Sequence, residues 1–186
     1  STYQSIVITE ARFIPITPKK IPENFFSLIE KLSDTSKYLV YRVDEMNFSL
    51  EHWTRTKEIY ENKEGKVILN SRLKDKISDY ECLHLTSNDL IKAKDVSSLI
   101  TGASCHNERE VFKAAQLKLD YIFISPVKNV ASKNPPLGWK NFSKLAKLFP
   151  GPSFALGGLK PEDLNSVLES GAQGIAGISG FFQSSE

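Results

Sequence analysis

The chain has 186 residues, 40% of them hydrophobic and 25% charged, ordinary values for a globular protein that buries a real core. Its 24 Lys and Arg against 22 Asp and Glu leave a formal charge of +2, and residues such as Lys19, Lys20, Lys74 and Lys76 lie among acids as solvated surface, which excludes a nucleic-acid footprint. Cys82 and Cys105 form no CxxC pair, so zinc and disulfide frameworks are excluded too. The absence of an apolar run of membrane-spanning length, or of a signal peptide, makes a cytoplasmic protein the expectation.

Short β-rich runs alternate with longer amphipathic stretches. Strands are expected at Ser5–Thr9, Tyr38–Arg42, Lys66–Asn70, Cys82–Leu85, Ser98–Ser104, Tyr121–Ser125, Ser153–Leu156 and Gly174–Ile178. Several are unbroken apolar runs, the pattern of strands buried on both faces. A first helix follows Pro22, with Phe25, Phe26, Leu28, Ile29 and Leu32, and a second runs from Leu50 to Asn62. Short helices are expected near Lys74–Ser78 and Ala93–Ser97, another starts after Asn107, a sixth covers Asn141–Leu148, and a seventh opens at Pro161 and stops at Gly171. Alternation of this kind demands parallel strands with right-handed crossovers, and eight units close into a (β/α)₈ TIM barrel. A doubly wound open sheet is the alternative. With no linker or repeat in the sequence, residues 1–186 read as one barrel domain.

Barrel active sites lie at the carboxyl ends of the strands, so the residues after each strand carry the chemistry. After the seventh comes Ala155-Leu156-Gly157-Gly158-Leu159, where adjacent glycines leave main-chain N–H groups open to a phosphate; a tight turn is the plainer reading. After the eighth comes Gly177-Ile178-Ser179-Gly180, with further amides and a hydroxyl. Ser104 can donate to an anion and His106 can shuttle a proton near neutral pH, against the alternatives of a helix cap and a surface histidine. The long loop after the sixth strand carries Ser132 and Lys133, placed to close over a phosphorylated ligand or merely to be solvated. His84 reads as a satisfied core histidine, Trp53 and Trp139 as packing residues, and His52 as solvated.

Five ordered segments resemble the thiamine phosphate synthase family, including its TenI-type tautomerase branch. They are Gly102-Ala-Ser-Cys-His106, Ala115 with Asp120-Tyr-Ile122, Pro126 with Ser132-Lys133, Ala155-Leu-Gly-Gly-Leu159, and Gly171-Ala-Gln-Gly-Ile-Ala-Gly-Ile-Ser179. The wording GASCH, LGW, ALGGL and GISGFF is similar to the synthase-like module fused behind Nudix hydrolase domains. No Nudix box is present, so the chain is either a separate relative or the C-terminal half of a longer protein with a Nudix partner. The family's synthase joins a pyrimidine diphosphate to a thiazole phosphate and releases pyrophosphate in a metal-assisted displacement.

By that resemblance Gly157, Gly158, Ile178 and Ser179 bind the thiazole-side phosphate. Ser104, Ser132, Arg42 and Lys133 meet the diphosphate, Asn70 meets the pyrimidine, and His106 with Lys133 supplies the catalytic groups. Departures fall on the diphosphate side. Asp44 stands where the family has a lysine, Val130 replaces a hydroxyl, and Ser71 replaces one of two magnesium carboxylates, leaving Asp89 as the other. Magnesium is therefore a doubtful cofactor here. The readings that follow are a phosphorylated thiazole or thiamine phosphate barrel with a degraded diphosphate site, a non-catalytic ligand-binding module for a Nudix hydrolase, or a metal-independent thiazole tautomerase. A homodimer is compatible with each.

Overall fold

The computed structural model describes residues 8–96, 98, 100–128 and 134–177. Strands β1 Phe13–Pro15, β2 Tyr38–Tyr41, β3 Lys66–Asn70, β4 Cys82–Leu85, β5 Ile100–Cys105, β6 Tyr121–Ile124, β7 Ser153–Ala155 and β8 Gly174–Gly177 pair in parallel, in the order β1-β8-β7-β6-β5-β4-β3-β2. The two ends of that order meet. Ile16 bridges Val40, and Thr17 N donates to Val40 O at 3.0 Å. The buried Thr17 hydroxyl then accepts from Arg42 N and donates to Arg42 O, both at 2.7 Å. A (β/α)₈ barrel results, with α1 Phe25–Thr35, α2 Leu50–Glu61, α3 Ser87–Lys92, α4 Glu108–Gln116, α5 Gly138–Leu148 and α6 Leu164–Glu169 outside it.

Side chains alternate across each strand, and the two faces fill different layers. Ile14, Val40, Ile68, Tyr121, Phe123 and Phe154 pack inside the barrel, while Leu39, Tyr41, Leu69, Leu83, Ile122 and Ile124 pack against the helices. The interior is filled rather than hollow. Gly102 makes room for the interior Tyr121 ring: a Cβ built there would lie 2.0 Å from Tyr121 Cζ. Local caps hold the helices. Ser49 accepts from His52 N at the start of α2, Thr86 from Asp89 N at the start of α3, and Asn107 from Glu110 N at the start of α4.

Four expectations are corrected. Of the expected strand Ser5–Thr9, residues 5–7 lie outside the described residues, while Ile8 is helical and residue 9 lies in a turn; the first described strand is Phe13–Pro15, in register with β8 from Phe13–Ile175 to Pro15–Gly177. The short helix expected at Ala93–Ser97 is instead Ser87–Lys92, because Thr86 caps the chain directly after β4. The one expected near Lys74–Ser78 is a 3-10 turn at Ser71–Lys76, started by Asn70, whose side chain accepts from Arg72 N. His52 is not solvated: its ring packs 4.6 Å from Phe25 and 4.9 Å from Phe26, and its Nδ1 lies 2.7 Å from Tyr41 OH. Burial, with Arg55 nearby, pushes its pKa down.

Gly102→Ala is expected to destabilise the barrel by about 1–3 kcal/mol, since neither Tyr121 nor the β5 backbone can retreat within a packed interior. Urea denaturation measures it, and a change below about 0.5 kcal/mol would show that the interior is looser than the geometry implies.

Candidate active site at the barrel mouth

The inward parity of each strand carries on into the residue at its carboxyl end. On β2 the inward series 38 and 40 continues to Arg42, on β3 68 continues to Asn70, and on β5 100 and 102 continue to Ser104. Three of the residues singled out from the sequence thus converge at one mouth. Arg42 and Asn70 line a pocket of about 220 Å³ together with Lys19, Asp44, Glu45 and Arg72. Arg42 is partly buried, and burial, then the nearby Arg72 charge, pulls its pKa down, with Asp44 opposing. Among the described residues neither guanidinium has an ion-pair partner within 4 Å. Arg42 is thus a partly buried cation and Arg72 an exposed one, and they share the pocket with Lys19, Asp44 and Glu45.

Arg72 was not singled out from the sequence. The signal was available, because it follows Asn70-Ser71 at the end of a barrel strand.

Beneath this layer lies a buried polar chain. His84 Nε2 is 2.8 Å from Ser104 Oγ, and His84 Nδ1 is 2.8 Å from Tyr121 OH. His84 is 2% exposed, and burial, helped by Arg42, pushes its pKa down to about 3. It is the satisfied core histidine expected, and it also touches a mouth residue.

Ser104 is not the helix cap, since Asn107 fills that role. His106 is half-buried rather than a free surface histidine. Its Nδ1 lies 3.0 Å from Glu110 Oε1, which also accepts from His106 N at 2.7 Å. Burial raises the Glu110 pKa, but these hydrogen bonds and the His106 and Arg109 charges carry it below the usual carboxylate value. Nε2 of His106 has no partner among the described residues.

On the opposite rim, the loop after β7 is braced by the turn after β6. Val127 N donates to Leu156 O at 3.0 Å, Lys128 N to Gly157 O at 3.1 Å, and Lys128 Nζ pairs with Asp163 at 3.2 Å. Gly157 has φ +116, and a Cβ there would lie 2.7 Å from Pro126 Cα. Gly158 has φ +71. Both requirements select glycine. The N–H groups of Gly157 and Gly158 meet no acceptor among the described residues. Ile178, Ser179, Ser132 and Lys133 lie outside the described residues.

The residues of the expected magnesium corner are engaged with one another. Ser71 Oγ donates to Asp89 Oδ2 at 2.6 Å and accepts from Thr86 N at 3.0 Å. No group of three or more His, Cys, Asp or Glu side chains among the described residues is placed to share a metal ion. Nor is any described helix long and apolar enough to cross a membrane.

The family model for thiamine monophosphate synthase matches residues 13–181. A thiamine-phosphate synthase of Prochlorococcus marinus is 28% identical over 190 residues, covering 97% of this chain and 54% of that protein. A putative thiamine-phosphate synthase 2 of Aquifex aeolicus is 25% identical, covering 89% of this chain and 94% of its own. The chain spans about half the length of most of the curated relatives it matches. Among solved structures, a thiamine phosphate pyrophosphorylase from Pyrococcus furiosus superposes with a TM-score of 0.73 at 19% identity, covering 93% of this chain and 88% of that one. A barrel closed at β1–β2 with its polar residues gathered at the carboxyl mouth, matched over nearly its whole described length, belongs to the thiamine monophosphate synthase family.

Proposed function

We propose that the barrel mouth binds a phosphorylated thiazole or thiamine phosphate without a magnesium diphosphate centre. The observation that carries this reading is the main-chain amides of Gly157 and Gly158, without an acceptor among the described residues and fixed in glycine-only geometry on the rim facing the Arg42 and Arg72 side. Amide donors and unpaired guanidiniums are the chemistry of phosphate recognition. In this reading Ser132 and Lys133, from the segment after β6, and Ile178 and Ser179, which follow β8 in sequence, complete the cup.

The residues present do not fit a magnesium-bridged diphosphate. Asp89 is held by the Ser71 hydroxyl, where a second carboxylate would be needed to hold a hard cation. Asp44 adds negative charge in the same pocket as Arg42. Relative to the family pattern, lysine to Asp44 changes the charge by −2 and acid to Ser71 by +1. The site therefore suits a monophosphate better than a diphosphate that brings no cation of its own.

A second reading, metal-free proton transfer on a phosphorylated thiazole, is favoured by His106. Glu110 holds its Nδ1 and leaves Nε2 unengaged, so the ring can take and return a proton there while Glu110 stabilises the imidazolium.

Calorimetry with thiamine phosphate and thiazole phosphate is expected to show binding of at least one, weakened about 10- to 100-fold in Arg42→Gln and unchanged by added magnesium. No heat from either compound, or magnesium-dependent pyrophosphate release in a coupled synthase assay, would remove the proposal. The paired Glu110 gives a second measurement. Because its folded-state pKa is depressed, its contribution is present above about pH 4.5 and is lost as pH falls through the folded value. Thermal melts of wild type and Glu110→Gln are expected to differ at neutral pH and converge in acid. A gap that stays constant down to pH 3 would show that the carboxylate is not engaged.

A further inference from the structure

We infer that Tyr121 fixes the tautomer of His84 and thereby makes Ser104 an obligate hydrogen-bond donor toward the barrel mouth. Tyr121 is fully buried. Its ring stacks on His84 and packs against Phe123 and Phe154, at centroid separations of 5.7, 5.2 and 6.1 Å. Among the described residues its hydroxyl has one partner, His84 Nδ1.

Two hydrogen-bond directions are conceivable along the chain. If Nδ1–H donated to the phenol, the phenol's own proton would be left with no acceptor among the described residues. A buried donor without a partner carries its full desolvation cost, which disfavours that arrangement by about tenfold or more in population. The phenol therefore donates to Nδ1, the proton of the neutral ring sits on Nε2, and Nε2–H donates to Ser104 Oγ. Burial and the Arg42 charge keep the ring neutral, so the doubly protonated form does not intervene near neutral pH. With one lone pair of Ser104 engaged from below, its own O–H turns outward from the carboxyl end of β5.

Tyr121 and His84 are then positioning residues that act through Ser104. The ligand consequence rests on the phosphate-binding reading above: a donor at Ser104 favours an anion's oxygens over a ligand N–H. The tautomer itself does not depend on that reading.

Long-range ¹H–¹⁵N correlation on ligand-free, histidine-labelled protein tests it, with His84→Gln assigning the signal among the three histidines. The expected result is a single His84 tautomer with Nε2 protonated and Nδ1 bare. Tyr121→Phe should lose that single tautomer and weaken thiamine phosphate by about tenfold. His84→Gln, whose amide can both accept from Tyr121 and donate to Ser104, should bind within about threefold of wild type. A wild-type His84 protonated at Nδ1 would overturn the inference, and that spectrum is informative even if Tyr121→Phe does not fold. Wild-type protein with the expected tautomer but no affinity for thiamine phosphate would count against the functional reading alone.

Discussion

Side-chain parity in a closed parallel barrel is the constraint on which both core and site depend. Along β2, β3, β4 and β5 the inward positions read Tyr38-Val40-Arg42, Ile68-Asn70, Cys82-His84 and Ile100-Gly102-Ser104. Apart from Lys66, which opens β3 on the same parity and pairs with Glu81, each series is apolar or small low in the barrel and polar at its carboxyl end. A slip of one residue would turn Arg42, Asn70 and Ser104 outward against the helices and drive Tyr41 and Leu69 into the mouth. The seam where the sheet closes resists that slip. Thr17 grips both backbone groups of Arg42, so the residue that ties β1 to β2 also fixes the register of the arginine that faces the pocket.

Electrostatics divides the mouth into unlike halves. The β2–β3 side offers Arg42 and Arg72 with no ion-pair partner among the described residues, tempered by Asp44 and Glu45. The β7 side offers main-chain amides, which carry partial charge at no cost in side-chain entropy. Between them stands the β5 end, with Ser104 supported from below and His106 clasped by Glu110. Packing sets the positions of the Ser104 hydroxyl and the β7 amides, whereas Arg72 is an exposed side chain.

How much of this was legible depends on how locally each feature is encoded. Strands such as Tyr121–Ile124 and Lys66–Asn70 announce themselves because parallel strands buried on both faces must be apolar throughout. Phe13–Pro15 does not, being three residues long and ending in proline, so the more β-like run before it drew the prediction. The α3 start was encoded in Thr86 and Asp89, a cap and its partner three residues on, but a strand end directly before it hid the signal. His52 was misread because its aromatic enclosure comes from Phe25 and Phe26 of another helix, a tertiary fact that neighbours in sequence cannot carry. Ser104 was reachable because it stands at a readable strand end, and Arg42 and Asn70 because the family resemblance fell on strand ends. Arg72, two residues beyond Asn70 in the turn, was passed over although its position after that strand end was legible.

The corner at Ser71 shows how a site can be complete in itself. Two carboxylates side by side in a partly buried pocket repel, and a cation between them is what makes such an arrangement stable. With serine at position 71 that need disappears. Its hydroxyl donates a hydrogen bond to Asp89 and accepts one from the Thr86 amide, while the Thr86 side chain caps the helix that carries Asp89. The Ser71 hydroxyl and the Thr86 and Asp89 amides each have an acceptor, and one carboxylate stands at this corner rather than two. Serine at position 71 thereby makes this corner a hydrogen-bonded brace between the ends of β3 and β4.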